Sequence, residues 1–352
     1  LKEAAKRAID EDYNQYSITW GAPALRTAIA AKARRFNGVA CDAERNVTVT
    51  CGTTEAMMAT LLALVDPGDE VVIFEPFYEN YGPDAIVSGA EPVYVTLHPP
   101  GFSFDAAELR SAFSRRTKAV LVNTPHNPTG HVFTRAELAE IAALCDAFDC
   151  FCVTDEIYEH ILYDGRQHVS MASLPGMAER TVTISGMSKT FSVTGWRVAW
   201  AIAPEPVTAA IRKMHDFLTV GAPHPLQIAG AAALGAGDEY YEELRWQYER
   251  RRALLVGPLR EAGFRCAEPE GAYYVMTDVA NFGFADDTAF AHWLVREVGV
   301  AAVPGSSFYR RGHADGRRQV RFTFCKSDEA LAEAGRRLQG LEARLAERAR
   351  RT

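Results

Sequence analysis

The chain has 352 residues, 48% hydrophobic and 24% charged, which is ordinary for a soluble globular protein with one large or two medium α/β domains. Its formal net charge of -7 argues against a general affinity for nucleic acid or anionic membranes. The seven cysteines form no C-x-x-C pair, and their odd number favours a reducing cytoplasm over a secreted disulfide framework. No apolar run approaches the roughly 20 residues of a membrane span, and the histidines form no metal-spaced cluster.

Short β-like runs separated by helical stretches dominate the chain. They begin at residues 47 (VTVT), 71 (VVIF), 93 (VYVT), 119 (AVLV), 151 (FCVT), 181 (TVTI) and 198 (VAWAIA). Strands that alternate with helices predict a doubly wound, mainly parallel sheet with both faces covered. A long helical region over 227–262 follows, and runs at 272, 300 and 320 predict a smaller α+β domain closed by a helix from Asp328.

Polar and aromatic residues follow the first two predicted strands, at the sheet edge where α/β proteins bind ligands. Gly52, Thr53 and Thr54 open a helix whose free N–H groups can bind an anion, although an ordinary N-cap has the same sequence. Phe77 and Tyr78 follow the second strand. An aromatic ring there can stack on a planar ligand or simply pack in the core.

Charged and amide side chains follow the later strands. Asn127 lies in a turn that fits a ligand contact or a plain loop, and Asp155 ends a strand where a buried carboxylate needs a partner. Lys189 follows the sixth strand, where a buried amine becomes a neutral nucleophile unless it reaches the surface. Arg197 comes eight residues later, and Arg321 lies inside a strand, where it requires an anion. Together these groups suit a flat, phosphorylated, aldehyde-bearing ring such as pyridoxal 5'-phosphate.

Three motifs resemble those of the fold-type I, class I/II aminotransferases, which depend on pyridoxal 5'-phosphate (PLP). They are HNPTG at 126–130, DEIY at 155–158 and SKTFSVTGWR at 188–197. Three further stretches look most like the kynurenine, glutamine–phenylpyruvate and methionine aminotransferase branch: FEPFYENY at 74–81, IRKMHDFLTVGAP at 211–223 and GAYY at 271–274. The resemblance runs over nearly all of the chain.

The resemblance implies an α/β fold with two domains. A large PLP-binding domain, doubly wound on a mainly parallel seven-stranded sheet and including the long connecting helix, is expected over 47–262. A small α+β domain is expected over 263–352. Residues 1–46 are expected to form a helical segment of the small domain and a dimer contact. Because the chain starts with Leu1 in a helical pattern, we expect its true N-terminus, including the family's substrate-covering segment, to be missing.

The resemblance also implies residue roles. The catalytic residues are Lys189, which forms the Schiff base and acts as the base, Asp155, which holds the ring nitrogen protonated, and Tyr158. Asn127 and Tyr158 are expected to hydrogen-bond the phenolic oxygen of the cofactor, and Tyr78 to stack on its ring. The implied phosphate ligands are Gly52, Thr53, Thr54, Ser188, Arg197 and, from the other subunit, Tyr16. The implied substrate contacts are Arg321, at the α-carboxylate, Asn127 and Trp20.

One position departs from the family pattern. Many relatives carry a phosphate-binding serine three residues before the lysine, and here that residue is Gly186. We expect Ser185 or Ser188 to take its place.

The expected function is a ping-pong transfer of an amino group from an L-amino acid to a 2-oxo acid. The amino acid is expected to be aromatic, methionine, glutamine or kynurenine-like. Cysteine-conjugate β-elimination and amino-acid oxidation use the same carbanion chemistry and are alternatives, and a non-catalytic ligand-binding module is a remote one. The chain lacks the glycine motifs of nucleotide-binding enzymes. We expect a cytoplasmic homodimer with no metal, nucleic acid or membrane partner.

Overall fold

The computed structural model describes residues 1–351. The strands are β1 (Val47–Thr50), β2 (Glu70–Glu75), β3 (Glu91–Thr96), β4 (Thr117–Asn123), β5 (Phe151–Asp155), β6 (Thr181–Gly186), β7 (Ala199–Ile202), β8 (Tyr274–Asp278), β9 (Val303–Pro304) and β10 (Gln319–Thr323). The α-helices are α1 (Lys2–Asp10), α2 (Pro23–Lys32), α3 (Thr53–Leu64), α4 (Tyr81–Val87), α5 (Ala106–Ser111), α6 (Arg135–Ala147), α7 (Met187–Thr190), α8 (Glu205–Thr219), α9 (His224–Ala233), α10 (Asp238–Glu261), α11 (Asp287–Trp293), α12 (Asp328–Leu338) and α13 (Leu341–Arg351). Among these helices, none combines the length and the apolar character that crossing a bilayer requires.

The large sheet has seven strands in the order β1-β7-β6-β5-β4-β2-β3. Strands β2 to β6 pair in parallel, and β7 runs antiparallel to both of its neighbours. This arrangement confirms the predicted doubly wound, mainly parallel sheet. The sequence order reverses between β4 and β2, so the loops that follow the central strands open into a shared crevice.

Both faces of the large sheet are covered, as its nearly continuous apolar strands require. Alternate residues of β4 enter different cores: Val120 and Val122 pack with α6, whereas Ala119 and Leu121 pack with α3 and α8. Since successive side chains of a strand point to opposite faces, these two cores lie on opposite sides of the sheet. The sheet is therefore held rigidly while the carboxyl ends of its strands stay free to present polar groups.

The small sheet has three antiparallel strands in the order β8-β10-β9. The predicted strand near residue 300 shortens to Val303–Pro304, and the long helical region divides into α9 and α10 around Gly235 and Gly237. The buried side chains of helix α10 share a core with β8 and β10 and also with Ile157 and Ile161, which follow β5 of the large sheet.

The N-terminal segment packs differently from the expectation for residues 1–46. Leu25 and Ile29 of α2 lie in one core cluster with Val47, Val49 and Trp200 of the large sheet. Helix α2 of this segment therefore packs on the large sheet, because its apolar face is buried against β1.

Candidate active site

A cavity at the carboxyl edge of the large sheet gathers most of the residues singled out from the sequence. Its wall consists of Thr53, Thr54, Tyr78, Tyr81, Asn123, Asn127, Asp155, Ile157, Tyr158, Ser188, Lys189, Thr194, Arg197 and Tyr274. The wall includes every expected cofactor contact apart from Gly52 and Tyr16. The structure thus brings together residues that the sequence places at the ends of five separate strands.

One end of the cavity is built to receive an anion. Helix α3 begins at Thr53, and its N-cap Gly52 has a φ of +87°. The guanidinium of Arg197 lies so close that a Cβ at Gly52 would be 2.1 Å from Nη2. Arg197 itself donates from Nη1 to the carbonyl of Thr194 at 3.0 Å. A helix N-terminus and a fixed guanidinium at the same point form a strong anion receptor.

Asp155 supplies a buried carboxylate at the end of β5. It is 6% exposed, and its Oδ2 accepts a hydrogen bond from the Tyr81 hydroxyl at 2.8 Å. Its Oδ1 accepts the backbone N–H of Ile157 at 3.2 Å. Burial nevertheless raises the pKa of Asp155 to about 6. Asp155 forms no salt bridge with any described side chain. Its buried negative charge therefore lacks a cationic partner.

Lys189 faces this carboxylate from α7. Strand β6 ends at Gly186, and the single turn of α7 carries the lysine. Its Nζ lies 5.9 Å from the ring centroid of Tyr158 and 6.0 Å from that of Tyr273. Burial lowers the pKa of Lys189, although the charge of Asp155 opposes the effect. A half-buried lysine of this kind loses its proton more readily than one in water.

The unusual glycine before the lysine has a steric reason. A Cβ at Gly186 would lie 2.7 Å from the Cβ of Ala199 on the neighbouring strand, so a serine does not fit without a shift. Ser185 donates its hydroxyl to Glu159 at 2.7 Å and is absent from the cavity wall. Ser188 does line the cavity. Of the two serines considered, Ser188 is the one that can contact a phosphate.

Arg321 is held at the border between the two sheets. Its Nη1 donates to Oδ1 of Asn127 at 2.8 Å. Its Cζ lies 4.4 Å from the ring centroids of both Tyr274 and Phe308, so the guanidinium is sandwiched between two aromatic rings. Its Nε is buried without a partner among the described residues. The guanidinium is therefore oriented in advance and retains capacity to bind a carboxylate.

Two tyrosines of the cavity wall were missed by the sequence reasoning. Tyr81 bonds Asp155, as described above, and Tyr274 places its hydroxyl 3.0 Å from that of Tyr158. Both lie inside stretches that were quoted for the family resemblance, FEPFYENY and GAYY. The signal was present, but nothing in the sequence says which tyrosine of each stretch faces the cavity.

Asn123 was missed for a different reason. It ends β4, where it reads as the last strand residue before the turn. Its Nδ2 donates to the carbonyl of Asp155 at 2.8 Å, and its Oδ1 accepts the N–H of Asn127 at 2.7 Å. Asn123 thus ties two strand ends together and orients Asn127.

Besides Gly52 and Arg321, which border the cavity, two expected contacts lie outside it. Tyr16 is 83% exposed on the N-terminal segment. Trp20 packs beneath Arg212, whose Cζ is 4.9 Å from its ring centroid. Neither residue lines the cavity of its own chain.

A separate cluster in the described chain groups possible metal ligands, Glu156, Glu159 and His168, within 4.8 Å of one another. The ammonium of Lys32 forms a salt bridge with Glu159. It therefore supplies the positive charge that a metal ion would bring.

Comparison with known proteins identifies one protein family. The family model described as aminotransferase class I and II matches residues 1–338. The probable N-succinyldiaminopimelate aminotransferase DapC of Mycobacterium tuberculosis is 42% identical over 353 aligned positions, covering 98% of this chain and 89% of the relative. Its solved structure superposes with a TM-score of 0.94 at 43% identity, over 97% of this chain and 89% of that one.

Two other relatives carry different substrate names. The methionine aminotransferase of Escherichia coli is 38% identical, over 97% of this chain and 88% of the relative. Human kynurenine–oxoglutarate transaminase 1 is 37% identical, over 94% of this chain and 86% of the relative. Members of this family use pyridoxal 5'-phosphate, and the donor set fits it: an anion receptor, a lysine, and a buried carboxylate that lacks a cation. The chain belongs to the class I and II aminotransferase family and is a PLP-dependent enzyme of fold type I.

Proposed function

We propose that the enzyme transfers the amino group of an aromatic, methionine, glutamine or kynurenine-like L-amino acid to a 2-oxo acid. One observation carries the proposal: Asp155, Lys189 and the Arg197 anion receptor line the same cavity, with Arg321 held at its border through Asn127. The names of the relatives support this range of donors, and they add N-succinyldiaminopimelate to the compounds that need testing.

The roles proposed for the cofactor contacts follow from the charges of the wall. The phosphate is assigned to the N-terminus of α3, with Arg197 and Ser188 beside it. The ring nitrogen is assigned to Asp155, whose burial favours a protonated partner. The phenolic oxygen is assigned to Asn127 and Tyr158. When bound, the cofactor supplies an electron sink for the bond broken at the amino acid Cα.

Lys189 is proposed to move the proton. Its pKa is lowered by burial, so a larger fraction of the amine is neutral and can accept the substrate α-proton at physiological pH. The same amine can then return the proton at a different carbon, and hydrolysis of the C=N bond by water releases the 2-oxo acid and completes half of a transamination. Tyr158, 5.9 Å from Nζ measured to its ring centroid, limits the directions in which the lysine can swing.

Arg321 is proposed to bind and orient the substrate α-carboxylate. A charged hydrogen bond contributes about 1.5 to 3 kcal/mol, and the fixed guanidinium aligns the Cα–H bond for Lys189. Its aromatic neighbours and its bond to Asn127 limit its movement. Removing this side chain should therefore weaken substrate recognition while the cofactor still binds.

A homodimer is proposed to complete the site. Tyr16 and Phe217 are 83% and 89% exposed, and Ile18 and Val220 are also exposed, so the segments at 16–18 and 217–220 leave apolar surface uncovered. Burial of this surface against a second copy would bring Tyr16 to the phosphate of the partner's cofactor.

All seven cysteines are free thiols, which supports the proposed cytoplasmic location.

The test is visible absorption of the purified protein with PLP, before and after each amino donor is added. We expect a yellow band that bleaches with the correct donors, and that Lys189→Ala changes, while Lys213→Ala on the exposed face of α8 leaves it unchanged. A protein that stays colourless with added PLP would contradict the proposal. Release of pyruvate and ammonia from a cysteine conjugate without an acceptor, or uptake of oxygen, would show that elimination or oxidation is the main reaction.

A further inference from the structure

Glu75 is a buried carboxylate that the proposed mechanism does not use. It is the last residue of β2 and has no exposed surface. Its Oε1 lies 3.1 Å from Nη1 of Arg310 and 3.4 Å from Nε2 of His313, and its Oε2 accepts the backbone N–H of Arg310 at 3.1 Å. The end of a large-sheet strand thus holds the loop over residues 305–318, which connects β9 to β10 of the small sheet.

This loop carries one of the two rings that hold Arg321. Phe308 is fully buried, and its ring centroid lies 4.4 Å from Cζ of Arg321. The carbonyl of Phe308 accepts the N–H of Phe77, two residues after Glu75, at 2.7 Å. The loop is therefore fixed to the end of β2 and the segment after it at two points, one through the backbone of Phe308 itself and one ionic, at Arg310 and His313.

We propose that Glu75 is a positioning residue for the substrate carboxylate: by holding Arg310 and His313 it keeps Phe308 stacked on Arg321. This inference rests on the carboxylate role proposed for Arg321. A carboxylate with no solvent exposure is costly unless it is paired, and here its partners lie on a loop that contacts the substrate-binding arginine. A neutral side chain at position 75 fills the same space but cannot balance the charge of Arg310.

The first test compares Glu75→Gln with Glu70→Gln. Glu70 lies at the opposite end of the same strand and pairs with Arg116 at 2.5 Å, so it is a matched control remote from the site. We expect Glu75→Gln to raise KM for the amino acid about tenfold, because a small displacement of Arg321 misplaces the substrate. The turnover number should change less than threefold, and PLP affinity should not change. An unchanged KM would overturn the proposal.

The second test asks whether Glu75 acts through Phe308. Phe308→Leu should also raise KM, and the double variant should be no worse than the poorer single variant, because residues that act through one contact are not additive. KM effects that multiply would show that Glu75 stabilises the fold independently of Phe308, and would overturn the proposal.

The third test does not depend on activity. The loop contains arginines at positions 310, 311, 317 and 318, which trypsin can cleave once the loop is released. Cleavage should be several-fold faster in Glu75→Gln than in the wild type or Glu70→Gln. Arg310→Gln, at a half-exposed side chain, should give the same result if Glu75→Gln folds poorly, and Arg310→Lys should restore much of the protection. Equal cleavage rates would overturn the proposal even if the enzyme proved not to be a transaminase.

Discussion

Asp155→Asn is expected to make the cofactor-free protein more stable at neutral pH. Burial raises the pKa of Asp155 from 3.8 to about 6. Since a tenfold change in proton affinity corresponds to about 1.4 kcal/mol, the ionised carboxylate destabilises the folded chain by about 3 kcal/mol above pH 6. The sign follows from proton binding: the folded state holds the proton more tightly, so stability falls as pH rises from about 4 to about 6.

Urea unfolding of the cofactor-free proteins, followed by circular dichroism, measures this difference. At pH 7.5 Asp155→Asn should unfold at a higher urea concentration than the wild type, and the gap should narrow by about half at pH 5. Asp84→Asn is the matched control. Asp84 is also buried, burial raises its pKa to about 6, and it lies outside the cavity. Asp84→Asn should therefore gain as much stability as Asp155→Asn at pH 7.5 and should keep its enzymatic activity.

Added PLP should make the wild type more stable than Asp155→Asn, which reverses the order expected without cofactor. A ligand stabilises the state that binds it, and only the wild type has the carboxylate that is proposed to pair with the ring nitrogen of PLP. The wild type should therefore gain more stability from PLP than Asp155→Asn, which should be almost inactive. If Asp155→Asn were less stable at pH 7.5 without cofactor, or if the gap were independent of pH, the burial argument for Asp155 would be refuted.

Three further substitutions test the surroundings of the site. Tyr81→Phe removes a hydrogen bond of about 1.5 to 3 kcal/mol from Asp155, so turnover should fall about tenfold and the acidic limb of the pH–rate profile should move to higher pH. Lys32→Met leaves the buried Glu159 carboxylate without its cation, which should lower the free energy of unfolding in urea by about 3 to 5 kcal/mol, and adding Glu159→Leu should restore much of it. Burial alone would lower the pKa of His131, but hydrogen bonds with two glutamates raise it to about 9. His131→Gln should therefore cost most stability near pH 6, and the cost should shrink between about pH 6.5 and 9.

The sheet could be predicted from the sequence because its strands are short apolar runs separated by helices. The runs at 47, 71, 93, 119, 151 and 181 all became strands of one sheet, and the polar residues after them meet at its edge. Asp155 and Asn127 were found this way. This reasoning works because parallel strands must place their carboxyl ends together, whatever the side-chain details.

Packing partners could not be predicted in the same way. The apolar stripe of α2 says that the helix is buried but not against which sheet, and Leu25 proved to contact the large one. Similarly, the buried face of α10 joins the small sheet. Tyr81 and Asn123 were missed because their roles depend on one hydrogen bond each to Asp155, a contact between segments far apart in the chain. Periodicity carries no information about such contacts.

The segment DEIYE at 155–159 links the parts of the chain that carry the proposed catalytic groups. Asp155 and Tyr158 line the cavity, whereas Glu159 is buried outside it and accepts hydrogen bonds from Ser185 and Asn37 at 2.7 Å each. Ser185 lies four residues before Lys189, so the buried glutamate connects the segment that carries the carboxylate to the strand that leads to the lysine. Fixed charges stabilise a transition state only if they do not have to reorganise during the reaction. If Asp155 and Lys189 have the roles proposed for them, the Glu159 network assists catalysis by restraining both groups from outside the cavity.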